Sequence, residues 1–144
     1  MNARVYIIDM IQRIQSIWLL LAAICAFLTL KFPLYSGSTA TAPFVELNGQ
    51  YNILLLILTV VVGTLAAVSI FLFKNRKLQM KLGFAGLALE IGCMALYFTQ
   101  LKNFSTGNFA LGSVLTLAVV VFFIMAIAAI SKDQKLIKSL DRLR

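Results

Sequence analysis

The tightest constraint on this chain is a set of four apolar stretches, at residues 14–34, 51–73, 82–101 and 109–130, each about 20 residues long. As helices they reach roughly 30–34 Å, the thickness of a bilayer's hydrocarbon core. Helices are the expected form, because lipid offers no partner for open backbone groups. Val60-Val61-Val62 and Val119-Val120-Val121 are continuous apolar runs, so the alternation of a membrane strand is missing. The chain is 61% hydrophobic and only 12% charged. A soluble domain of this size could not hide that much apolar surface. Soluble enzymes, disordered chains and disulfide scaffolds are thereby excluded. The expected fold class is all-α: one polytopic membrane domain over residues 1–144, built as a four-transmembrane-helix bundle.

The cations give this bundle a direction. Of the thirteen Lys and Arg residues, all but Lys31 and Lys102 gather at one set of span ends. Arg13 precedes the first stretch, Lys74, Arg76, Lys77 and Lys81 lie between the second and third, and Lys132, Lys135, Lys138 and Arg142 follow the fourth. The positive-inside rule then expects both termini in the cytoplasm, with these cations facing anionic lipid. The net charge of +8 follows from that asymmetry, and nucleic acid is not an expected partner. In the tail, residues 131–144, Leu136, Ile137, Leu140 and Leu143 recur at helical spacing opposite the cations. This reads as a separate amphipathic helix on the headgroups, capped by Ser131 with Gln134 three residues on. Val5, Tyr6, Ile8 and Ile11 suggest similar behaviour at the other end. In the external loop, Phe44-Val45-Glu46-Leu47 runs into Asn48-Gly49, a hairpin turn signal that suggests a short strand pair.

One charge falls inside a span. Glu90 lies near the middle of the third stretch, and no cation occurs in the interior of another stretch to pair with it. An ionised carboxylate at that depth is costly, so the side chain favours its protonated form and must face protein or water. Gly83, Gly86, Glu90, Cys93 and Tyr97 follow 3-4 spacing and form one stripe of small and polar groups, extended by Ala88, Gly92 and Ala95. Gly63 and Thr64 on the second stretch, with Thr59 and Ala67, offer a matching patch. The expected seam therefore joins stretches two, three and four around Glu90. Glu90 can lock the bundle, meet a partner subunit, or exchange a proton during transport. Cys25 and Cys93 read as small buried hydrophobes without a CxxC partner. There is no His, and the other acids are scattered, so no catalytic residues, metal site or cofactor are expected.

Two motifs carry a resemblance. Met10-Ile11-Gln12-Arg13-Ile14-Gln15-Ser16, running into Trp18-Leu19-Leu20-Leu21, resembles the opening of a bacterial membrane-protein family of unknown function. Phe73-Lys74-Asn75-Arg76-Lys77-Leu78-Gln79 resembles that family's second signature. The resemblance implies a four-helix, multi-pass protein of the bacterial inner membrane and a start at Met10. It brings no activity for any residue. The expected function is a non-enzymatic accessory or scaffold subunit that contacts lipids and other membrane-protein subunits, or copies of itself. The alternative is a small oligomeric proton-linked transporter using Glu90.

Overall fold

The computed structural model describes residues 3–142, with side chains over 14–139 and at Arg142. Arg13 and the apolar residues of the N-terminal stretch lie outside the described side chains. In chain order the elements are α1 (Ala3–Leu28), β1 (Tyr35–Thr39), β2 (Val45–Leu47), α2 (Ile53–Phe71), α3 (Arg76–Leu101), β3 (Phe104–Phe109) and α4 (Leu111–Asp141). Each helix packs on its neighbours in the cycle α1–α2–α3–α4, and α4 closes it against α1. The strands cap one end, called here the sheet end. The short α2–α3 connection marks the opposite, turn end.

Three helical segments are long and apolar enough to cross a membrane: Ile53–Phe71, Arg76–Leu101 and Leu111–Ser139. The described apolar part of α1 is the shorter Ile14–Leu28. The outer faces carry large exposed apolar groups such as Ile57, Phe84, Ile91, Phe98, Val121 and Ile124. So much open apolar surface around apolar helices is the mark of a membrane protein.

Small residues bring the helices together. Leu19, Ala22 and Ala26 of α1, Val62 and Ala66 of α2, and Val119, Phe123 and Ala126 of α4 form the central core. Asparagines start two of the helices. Asn52 accepts from the Leu54 amide at 3.2 Å, and Asn75 accepts from the Leu78 amide at 3.3 Å, each satisfying an orphan donor of a first turn.

The first stretch does not stay helical to residue 34. α1 stops at Leu28, because Pro33 has no amide proton and disfavours helix in the residue before it. The expected strand pair forms, but its turn lies earlier than Asn48-Gly49. Gly37 pairs with Val45, and the Thr39 amide donates to Ala42 O at 2.9 Å. Asn48-Gly49 instead joins β2 to α2, with the buried Gly49 amide donating to Thr29 O at 2.9 Å. A third strand, β3, pairs along the other side of β1, giving the order β2-β1-β3. It includes Phe109, which the fourth apolar stretch would have made helical.

The third helix begins at Arg76, before the expected residue 82, so Lys77 and Lys81 stand on its first turns. The tail is not a separate helix either. α4 runs unbroken for 31 residues, and Ser131 lies inside it instead of capping a new start. No Gly or Pro interrupts the chain from Ser113 to Asp141, so nothing forces a break.

Candidate functional site

The α3 stripe faces inward as its spacing requires. Gly83, Gly86, Glu90, Cys93 and Tyr97 are all buried, with Glu90 at 4% exposure. A Cβ on Gly86 would stand 2.6 Å from the Phe123 ring, so the glycine makes room for the largest core side chain of α4. Thr59 of α2 faces Cys93 and Tyr97, and Glu90 lies on their side of α3. Among the described residues no ion pair reaches Glu90. Gly86, Glu90, Cys93 and Tyr97 therefore form one inner surface, as the spacing indicates.

The matching patch on α2 divides differently. A Cβ on Gly63 would meet the Phe27 ring of α1 at 2.8 Å, so Gly63 serves the α1–α2 contact. Thr64 is exposed, and its hydroxyl donates to Val60 O at 2.7 Å in its own helix. Thr64 thus lies outside the glutamate seam. Thr59 and Thr64 are five residues apart, about 140° around the helix, so they could not both face α3.

A second polar centre lies at the turn end. Gln15 Nε2 of α1 donates to Asp133 Oδ2 of α4 at 3.0 Å, and Arg76 Nε of α3 lies 3.1 Å from the same oxygen. Next to Arg76 on α3, Gln79 Nε2 donates to Ser69 O, in the last turn of α2, at 3.0 Å. Gln15, Gln79 and Asp133 are buried, and the Arg76 side chain is 16% exposed. All four helices thus meet in hydrogen bonds or an ion pair within one region. Among the described residues, Arg76 Nη1, Gln79 Oε1 and Asp133 Oδ1 have no partner.

This node corrects two readings. Arg76, grouped by sequence with the lipid-facing cations, turns into the bundle because Asp133 holds its guanidinium. Asp133 is a buried structural acid and not a scattered charge of the tail. Gln15, from the first motif, faces α4. Two signals were available. Gln15 comes from the first motif, Arg76 and Gln79 from the second, so the two signatures converge on one centre. Asp133 is also in phase with the core positions Phe123, Ala126 and Ile130 once α4 is taken as continuous.

The remaining cations stay outside. Lys74, Lys77, Lys81, Lys132, Lys135, Lys138 and Arg142 are exposed at the turn end. Among the described residues no group of three or more His, Cys, Asp or Glu side chains could hold a metal ion.

Residues 11–143 match the family described as DUF4293, a domain of unknown function, and the chain belongs to that family. Neither a curated protein nor a solved structure matches the chain.

Proposed function

We propose that this DUF4293 chain is a non-enzymatic accessory or scaffold subunit of a membrane complex: a four-span, multi-pass protein of the bacterial inner membrane with both termini in the cytoplasm. The cation pattern supports the orientation, since the exposed lysines cluster at the turn end while the sheet end keeps Lys31 and Lys102. Membership of α1 among the spans is supported by its 26 residues, about 39 Å as a helix, running beside α4.

The observation that carries the subunit reading is the outer face of α3. Its inner small residues are used within the molecule, but Ala85, Ala88, Gly92 and Ala95 are exposed, and a Cβ on Gly92 would have nothing within 4 Å. They form a shallow strip flanked by exposed Phe84, Ile91 and Phe98. Such a strip lets a second helix approach closely, which is how helices associate where lipid removes the hydrophobic drive. Affinity purification at native expression in mild detergent tests this. A stoichiometric membrane-protein partner should be recovered, and Ala88→Leu with Gly92→Leu should deplete it while leaving thermal unfolding unchanged. Recovery of the chain with only copies of itself would remove the reading.

One observation favours the alternative of proton-linked transport. A cavity of about 280 Å³ opens between α3 and α4 near the sheet end, lined in part by Tyr97, Ser113 and Thr116. Tyr97 shares the inner stripe with Glu90, two helical turns away, and so links this cavity to the side of α3 that carries the carboxyl. Proton flux in vesicles that is abolished by Glu90→Gln would support transport; flux equal to empty vesicles in the unaltered protein would dismiss it.

A further inference from the structure

At the turn end, α2 stops at Phe71 and α3 starts at Arg76, while α4 continues past both to Asp141. The overhang of α4 and the α2–α3 turn enclose an open cleft of about 600 Å³. Lys74, Arg76 and Lys77 line it from the turn, Lys138 lines it from α4, and Phe73 and Ile137 supply an apolar border. Among the described residues no carboxylate lines it. Asp133 is fully buried and turned to Arg76. That contact fixes the guanidinium at the cleft floor, so one of the four cations is ordered before any ligand arrives. The amino end of a 26-residue helix adds its partial positive charge at the same place. Phe71, 80% exposed, lies beside the turn at the limit of the apolar surface.

Four cations from two elements, an aromatic rim and a position at the edge of an apolar belt are together complementary to a phosphodiester with attached acyl chains. Basic pockets between spans on the cytoplasmic side are suited to anionic headgroups. We propose that this cleft binds the headgroup of one anionic phospholipid, its phosphate held by Lys74, Lys77 and Lys138 above the fixed Arg76. The proposal rests on the membrane placement given above but not on the subunit role.

Native mass spectrometry of the full chain in mild detergent tests it, with phosphatidylglycerol and phosphatidylcholine as probes. The unaltered protein should retain one phosphatidylglycerol in preference to phosphatidylcholine. Lys74→Gln/Lys77→Gln/Lys138→Gln should weaken that retention by about a hundredfold. Lys81→Gln/Lys132→Gln/Lys135→Gln removes equal charge from the same end outside the cleft and should change it by less than about threefold. Equal loss in both variants, or no preference in the unaltered protein, would overturn the proposal. Displacement of the lipid by equimolar inorganic phosphate would overturn it too, identifying a free-phosphate site. All substituted lysines are exposed, and an unchanged melting temperature confirms that each variant is folded. Because the measurement is made in detergent, reversed membrane sidedness would refute the placement while leaving the lipid result readable.

Discussion

At the scale of single residues, Asp133 is the side chain on which most depends. It takes a hydrogen bond from Gln15 and an ion pair from Arg76 while fully buried. Removing one member of a buried pair leaves the other charged and unsatisfied, a loss of about 3–5 kcal/mol when burial is complete. The Arg76 side chain keeps 16% exposure, so Asp133→Ala should cost nearer about 2–3 kcal/mol, read by denaturant unfolding in detergent. Arg76→Met/Asp133→Leu should recover at least half of that loss, because no lone charge remains; a double variant no better than the single would show that the pair itself holds the end of the bundle. The glycines of α3 give a second contrast. Gly86→Ala places a methyl against Phe123 and should cost about 1–3 kcal/mol, whereas Gly92→Ala points into open space and should stay within about 0.5 kcal/mol. Thermal unfolding of the two variants separates these values. The inner stripe was legible in the sequence, since 3-4 spacing places Gly86, Glu90, Cys93 and Tyr97 on one line. The node was not, because its members are spread over three helices and each alone resembles an ordinary polar residue at a span end. Spacing within one helix carries no information about which residues face it from another.

Among the elements, α4 departs most from its expected form. The cations of residues 131–144 suggest a new helix on the membrane surface, yet the backbone has no reason to break between Ser113 and Asp141. The expected boundary at Ser131 therefore does not exist. A helix that started at Ser131 would tolerate proline nearby in its first turn. The continuous α4 should not: Ser131→Pro removes an interior hydrogen bond and should cost about 3 kcal/mol or more, with loss of helical circular dichroism. The strands show the opposite limit. β1 and β2 were visible through turn residues, although the turn was placed one strand too late. β3 was hidden, because Phe-Ser-Thr-Gly-Asn-Phe has little strand propensity of its own. It forms where β1 offers an edge and Tyr35 packs edge-on between Phe104 and Phe109, at 5.2 and 5.3 Å. The Gly37–Gly107 pair lets the two backbones come together, since a Cβ on Gly37 would collide with Thr106 O.

For the molecule as a whole, the two ends differ in kind. The sheet end is closed by backbone hydrogen bonds, including Gly112 to Pro33 O at 2.8 Å and Ala110 to Leu34 O at 2.9 Å. The turn end is closed by side chains and surrounded by cations. Under the proposed orientation, Arg142→Cys should react with a membrane-impermeant maleimide only after the cell is opened, and Thr41→Cys should react in intact cells. Both positions are exposed, whereas Cys93 is buried and Cys25 partly so, which keeps the background low. The reverse labelling pattern would invert the molecule. Composition alone was enough to identify a membrane protein, because apolar surface of this extent has no aqueous solution. Which faces remain open to a partner required the packed bundle, since α3 carries small residues on two sides and only the inner set is consumed.

Gln15 and its partner Asp133 are 118 positions apart in the chain. A ribosome delivers Gln15 first, then Arg76, and Asp133 last of the three. For just under half of that interval, from Arg76 to Asp133, the nascent protein holds an arginine whose counter-charge has not yet been made. Closure of the bundle thereby waits for the last part of α4, and a product cut short before Asp133 is left with its inner cation uncompensated. The same contact that joins three helices in the finished molecule also distinguishes a chain that has reached Asp133 from one that stops before it.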